Sequence, residues 1–267
     1  MLAAIDGTGA VWDDVYQVKM QNSFINQIVR QAPAAINAMY YRGPDWSGTD
    51  LVGNLIRPEV VVQDVWCARQ RGDKKVFLAG YSRGGAIAID AAMLLARADI
   101  EVEAIFLFDA VNRSTELRAS AIPDNVRHAY HAVRMKSTSS RESFGNCGLS
   151  LVGSGELVKR EFYTTHGGMG GVPWGDTGIE AQARQIVGVR PCEPAQSIRL
   201  PDGRLTVPFL TGAPAIAHQQ DLMRPRARID EGSVDGFTNV TVGQERQGME
   251  QVHAWMWWQL WKHGVLA

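Results

Sequence analysis

The sequence is short of cysteine: three in 267 residues, Cys67, Cys147 and Cys192, odd in number and with no Cys-x-x-Cys pair. That excludes a disulfide framework and a thiolate zinc site. Long apolar runs are missing too. The longest, around Val76–Ala79 and Ala86–Leu95, fall short of the roughly 20 apolar residues that cross a bilayer, so no transmembrane segment is expected. Neither sign of charge is in surplus. With 27 Lys plus Arg against 28 Asp plus Glu, nothing global draws the chain to nucleic acid or acidic lipid, and a small or neutral substrate is the expected partner. The opening Met1-Leu-Ala-Ala-Ile-Asp6 has no basic segment and reaches an acid before an apolar stretch can build. No secretory signal is read there. Residence in the cytoplasm, or export by a machinery needing no cleaved signal peptide, is the expectation. No internal repeat occurs, and no motif calls for a metal or a cofactor.

What is present is an ordinary soluble composition, 45% apolar and 21% charged, which excludes disorder and supplies a sizeable core. Short apolar runs alternate with helix-like stretches, the pattern of a mostly parallel sheet with helices on both faces. Strands are read at about Leu2–Asp6, Ala35–Tyr41, Lys75–Gly80, Ala104–Phe108, Arg127–Arg134 and Glu161–Thr165. Helices are read at Val15–Arg30, Pro58–Arg71, Gly84–Ala98 and Gln247–His263, the third apolar on nearly every side and therefore the most buried. From about 170 to 246 prolines interrupt the pattern. This stretch is taken as an irregular insertion covering a sheet edge or the active-site end of a single 1–267 domain, with one short hairpin around Gly203.

Val76-Phe-Leu-Ala-Gly80-Tyr-Ser82-Arg-Gly84-Gly85 joins an apolar strand to a helix former through Gly-x-Ser-x-Gly. In that context the serine sits on a sharp turn above the carboxyl edge of a sheet. Small residues on either side then let strand and helix backbones approach closely. Ser82 is the candidate nucleophile, and its bland alternative is a capping serine. The amide of Arg83 would face a developing oxyanion, joined by that of Gly7 or Thr8 in Asp6-Gly-Thr-Gly9 after the first strand. A serine alcohol needs a base, and the base an acid, in the order Ser, acid, His. Asp109 ends the apolar strand Ala104–Phe108, and His166 ends the run Glu161-Phe-Tyr-Thr-Thr165 before Gly167-Gly168. They are the expected acid and base, against a buried structural aspartate and a solvent-facing loop histidine.

Competitors exist. Asp90, inside the helix after Ser82, is a lesser acid, and Asp176 would order the histidine loop. His128 and His131, three apart on a strand, face opposite sides and cannot pair on a ligand. His218, His253 and His263 suit surface roles. Asp6-Gly-Thr lacks the earlier aspartate of a haloacid-dehalogenase phosphatase, position 4 being Ala4. His166-Gly-Gly-Met-Gly-Gly171 follows the nucleophile, where a lipase oxyanion loop would precede it.

On Asp6-Gly-Thr-Gly9, Gly80-Tyr-Ser-Arg-Gly-Gly85, Phe106-Leu-Phe-Asp109-Ala-Val111, Val126-Arg-His128, the His166 loop, Trp255-Met256 and Lys262-His-Gly264, the chain resembles an α/β-hydrolase family. That family comprises bacterial type VI secretion phospholipase effectors and their domain-of-unknown-function relatives. The resemblance implies that Ser82, Asp109 and His166 correspond to its nucleophile, acid and base, and that the substrate is a lipid or phospholipid acyl ester. A serine esterase without cofactor is the expected activity. The same residues also fit a thioesterase or amidase, and a non-catalytic binding module would retain the turn. Trp255, Trp257, Trp258 and Trp261 cannot all share one helix face. Some cover core, and the rest leave room for transient contact with a membrane surface. Arg224, Arg226 and Arg228 suit a solvated loop, or an anionic head group.

Overall fold

A computed structural model of the chain describes residues 1–10, 12–45, 57–174, 198–199, 205–206, 228–231 and 235–267. Its centre is a six-stranded sheet: β1 (Leu2–Ile5), β2 (Ala38–Tyr41), β3 (Phe77–Tyr81), β4 (Val102–Phe108), β5 (Val126–Arg134) and β6 (Glu156–Phe162). The strand order is β2-β1-β3-β4-β5-β6 and every pairing in it is parallel. Strands buried on both faces need apolar side chains at every position, and β1, β3 and most of β4 comply. Alternation sorts them. Ala3, Ile5, Leu78, Ile105 and Leu107 enter one core, while Leu2, Ala4, Phe77, Ala79, Phe106 and Phe108 enter the other.

The first core is closed by α3 (Pro58–Gln70) and α4 (Arg83–Arg97). Pro58 stands in the first turn of α3, where its missing N–H costs nothing. α4 is buried along most of its length, and each of Ile87 and Ile89 contributes about 1.5–3 kcal/mol by leaving water. The second core is closed by α2 (Phe24–Gln31), through Phe24, Ile25 and Ile28. Beside it on the same face lies α6 (Val242–Lys262), through Val252, Met256 and Leu260. α6 begins at a capping box, with Thr241 and Gln244 exchanging side-chain and backbone hydrogen bonds.

Two expected elements change. The helix expected over Val15–Arg30 is two, α1 (Asp13–Met20) and α2, because Ser23 leaves the helical path to cap α2, its Oγ accepting from the Asn26 amide at 3.1 Å. The last sheet strand ends at Phe162 and starts at Glu156, earlier than Glu161–Thr165, and Thr165 instead caps a single turn, α5 (His166–Met169). Within the proposed 170–246 insertion, β7 (Ile198–Arg199) and β8 (Leu205–Thr206) pair antiparallel on either side of Gly203. β9 (Arg228–Asp230) pairs with β10 (Phe237–Thr241). Cys192, Asp176, His218, Arg224 and Arg226 lie outside the described residues. Cys67 and Cys147 are free thiols. No described helix is long and apolar enough to cross a membrane.

The four tryptophans of α6 divide. Trp255 packs on Tyr130 and Phe162, and Trp257 on Phe24 with its Nε1 donating to Gln31 at 2.9 Å. Trp258 and Trp261 are exposed and stacked, centroids 5.1 Å apart.

Candidate active site

From β1 the chain crosses to β2 on one side and returns to β3 on the other, so the carboxyl ends of β1 and β3 flank the sheet's topological switch point. Crevices form there because the two connections diverge. Ser82 follows β3 and Gly7 follows β1. A side-chain carbon on Gly7 would lie 3.2 Å from Ser82 Cβ.

Ser82 has φ 55° and ψ −127°, a backbone conformation that L side chains rarely adopt. Strain of about 1–3 kcal/mol is held in place by three backbone bonds. The Ser82 amide donates to Phe108 O at 3.0 Å, and its carbonyl accepts from Gly85 N at 3.0 Å and Val111 N at 3.1 Å. The flanking glycines have a steric reason. A Cβ on Gly80 would come within 2.6 Å of the Gly84 carbonyl, and one on Gly84 within 2.3 Å of the Asp6 carbonyl.

Ser82 Oγ lies 2.8 Å from His166 Nε2, and His166 Nδ1 lies 2.6 Å from Asp109 Oδ2. The three residues come from the ends of β3, β4 and β6 and are all buried. Asp109 also has positive φ, 46°, anchored by its amide on Ala132 O at 2.7 Å. Its carboxylate accepts from Asn146 Nδ2 at 2.7 Å, from the Arg134 amide at 3.2 Å and from the Arg134 guanidinium. Burial alone would push this acid up, but Arg134 and His166 outweigh burial and hold it well below the usual carboxylate range. His166 moves the other way. Burial lowers its affinity for a proton, Asp109 opposes that, and the Arg134 and Arg141 charges add to the lowering. The resting histidine is therefore neutral at pH 7, with Nδ1–H donating to Asp109 and Nε2 available to Ser82.

The ring of His166 is boxed by Tyr81, Phe144 and Trp174, at centroid distances of 5.2, 5.3 and 5.9 Å. Its backbone is pinned as well. The amide donates to Ser140 Oγ at 2.8 Å, and Ser140 Oγ donates to the buried Glu231 at 2.5 Å. Thr165 bonds to the buried Glu245 carboxylate, which also accepts from Trp174 N at 2.9 Å. These partners escaped the sequence reading, since nothing local marks Arg134, Ser140, Glu231 or Glu245 as neighbours of His166.

The expected oxyanion donors fare unequally. Arg83 opens α4, so its amide stands at the positive end of the helix dipole. Gly7 is a correction, because its amide already donates to Asp6 Oδ1 at 2.8 Å and is not spare for a substrate. Thr8 remains, and its hydroxyl oxygen is buried with no hydrogen-bond partner among the described residues. The loop carrying it is fixed by Asp6, which also accepts from Ser23 Oγ at 2.5 Å and Tyr40 OH at 3.0 Å, and by Tyr16 OH donating to Gly7 O at 2.7 Å.

The competitors are accounted for. Asp90 faces Arg118, Oδ1 to Nε 3.5 Å, and not His166. His131 is buried, with Nε2 accepting from Ala110 N at 3.1 Å, whereas His128, on the other face, meets Glu156 at 3.2 Å. His253 is half-buried and stacked on Trp257, and His263 bonds to Tyr130 at 3.0 Å, so neither is a plain surface residue. Arg228 donates to Thr238 O and Asn239 in the neighbouring strand. Among the described residues, no group of three or more His, Cys, Asp or Glu could hold a metal ion.

A parallel sheet layered by helices, with a strained serine between β3 and α4, defines the architecture. The fold is α/β-hydrolase-like. No family model matches the chain, and no curated protein does. Among solved structures it is similar to a YdeN-like hydrolase from Pectobacterium atrosepticum, 14% identical at a TM-score of 0.36, covering 69% of this chain and 90% of that one. It is also similar to the NocB thioesterase domain of the nocardicin cluster, 12% identical at a TM-score of 0.33, covering 62% and 84%. An uncharacterized protein from Pseudomonas aeruginosa is 12% identical at a TM-score of 0.42. That match covers 95% of this chain and 50% of the other.

Proposed function

We propose that the protein is a serine hydrolase of carboxylic esters. The observation that carries this reading is the unbroken relay Ser82 Oγ, His166 Nε2, His166 Nδ1, Asp109 Oδ2, with gaps of 2.8 and 2.6 Å, on a strained strand-to-helix turn. His166 takes the proton of Ser82 as its oxygen bonds to the ester carbonyl carbon. The tetrahedral oxyanion is met by the Arg83 amide and by Thr8. His166 then returns the proton to the departing alkoxide, leaving an acyl-enzyme. Water attacks that acyl group by the same relay, releasing the acid and restoring Ser82. Asp109, ionised throughout, stabilises the imidazolium.

Lipid acyl esters are the proposed substrate class. The motif resemblance supports this, as does the exposed Trp258–Trp261 pair, which suits an interface between water and acyl chains. A panel of soluble p-nitrophenyl esters, thioesters, anilides and dispersed phospholipids, run on wild type and Ser82→Ala together, tests both parts. Ester turnover should fall by about 10³-fold or more in the variant. Full activity without the serine hydroxyl sinks the hydrolase reading. Thioester or anilide turnover above ester turnover reassigns the substrate and leaves the relay standing. A wild type inert to every substrate and unlabelled by a fluorophosphonate returns the chain to the binding-module reading.

A further inference from the structure

One buried cation sits against the relay and has no part in the proton transfers just described. Arg134, the last residue of β5, meets Asp109 twice: its amide donates to Oδ1 at 3.2 Å and its guanidinium Nη1 to Oδ2, the oxygen that also receives His166 Nδ1. The remaining guanidinium nitrogens are used too. Nε donates to Ser140 O at 2.8 Å and Nη2 to Arg141 O at 3.0 Å. The fork is thus held on three acceptors, with 6% of its side chain exposed beside a carboxylate that is wholly buried. The same Ser140 carries the His166 amide on its hydroxyl, so acid and base are referenced to one short segment, 134–141.

Resting on the serine-hydrolase reading, we propose that Arg134 is a positioning residue of the relay: it fixes the Asp109 carboxylate and sets the pH at which His166 becomes a working base. Without the guanidinium, the Asp109 carboxylate would keep His166 Nδ1 and Asn146 Nδ2 as donors but lose the fork that orients it. The charge of Arg134, lying on the very oxygen that His166 uses, also resists formation of the imidazolium. The groups facing His166 can be named element by element: Tyr81 from β3, Asp109 after β4, Arg134 from β5, and Arg141 from the following loop. Glu231 acts through Ser140, and Glu245 of α6 through Thr165. Of these, Asp109 favours the protonated ring, and Arg134 and Arg141 oppose it.

The test is the rate of fluorophosphonate labelling at Ser82 against pH, for wild type, Arg134→Gln and Arg134→Lys, with Ser82→Ala as the blank. Labelling requires neutral His166, so its midpoint follows the base. Loss of the charge in Arg134→Gln should raise that midpoint by about one pH unit, and loss of the fork should slow the plateau by about tenfold. Arg134→Lys keeps the charge and should return the midpoint to that of wild type while staying slower. A folded Arg134→Gln protein with an unmoved midpoint overturns the proposal whatever its rate. Should circular dichroism show that variant unfolded, Arg134→Lys decides: a plateau within about threefold of wild type overturns the proposal, and a larger loss supports it. An unlabelled wild type sinks the serine-hydrolase reading, and this proposal with it. A labelled wild type with indifferent Arg134 variants sinks this proposal alone.

Discussion

Ser82 and Asp109 both occupy positive φ, and each is held there by backbone bonds to a neighbouring strand end. Such strain persists only where the surroundings over-determine it, and here it aims a hydroxyl and a carboxylate at the two nitrogens of one imidazole. The protonation of that ring follows from its surroundings. Burial depresses it first, Asp109 resists, and two arginines reinforce the depression. A base depressed in this way is lost only when pH falls through a value below the ordinary histidine 6.5. kcat/KM on a soluble ester should therefore rise with pH and level off with a midpoint under 6.5. A midpoint above it contradicts the charge arrangement. At this scale the sequence was informative about Ser82 and Asp109, because each directly follows an apolar strand, and about His166, because it follows a β-favouring run and precedes glycines. It was silent about Arg134 and Glu231, whose bonds to Asp109 and Ser140 span 25 and 91 positions with nothing local to announce them.

Between elements, the close approach of β3, α4 and the loop after β1 is the feature most sensitive to added volume. Gly84 lies inside α4, where alanine would by itself favour the helix by about 1 kcal/mol. Its Cβ would meet the Asp6 carbonyl at 2.3 Å, which is backbone and cannot yield cheaply. Gly84→Ala should therefore destabilise, by about 1–3 kcal/mol in urea unfolding, and should slow ester hydrolysis by shifting the loop that carries Thr8. A stabilised variant contradicts the packing described. Ser23 shows where periodicity misleads. Val15, Val18, Ile25 and Ile28 read as one stripe, yet a residue that both caps α2 and donates to Asp6 breaks the helix between them. The shift of β6 has the same origin. Thr165 prefers to cap the His166 turn, so the strand gives out at Phe162.

Across the molecule, three buried ionisable groups couple folding to pH in opposing directions. Burial, partly offset by bonds from Ser23, Gly7 and Tyr40, pushes Asp6 up to about 6, so the native state holds that proton more tightly than the unfolded chain. Its contribution is complete below the ordinary carboxylate value and is lost as pH rises through about 6. Burial, against the pull of Asp109 and Gly148, lowers His131 to about 4, so its contribution is present above 6.5 and lost as pH falls toward 4. His166 shares that direction. Asp6 and His131 each amount to about 3 kcal/mol and partly cancel between pH 4 and 6. Asp6→Asn removes one side of the balance. In calorimetry it should steepen the loss of stability on acidification from pH 6.5 to 4 by about 3 kcal/mol relative to wild type. An unchanged slope contradicts the raised proton affinity of the buried Asp6 carboxyl.

The amino-acid order alone determined the parallel layered architecture and the serine turn, because burial on both faces and close backbone packing each demand particular residue types within a few positions of one another. It also pointed to an acid directly after an apolar strand and to a histidine in the segment after the last sheet strand. The strand order and the switch point that sets Gly7 beside Ser82 were decided only by the tertiary structure. So was the shared grip of Arg134 and His166 on one carboxylate oxygen. Those relations join residues far apart in the chain, and their energy exists only once both cores are closed and water has been removed from between them.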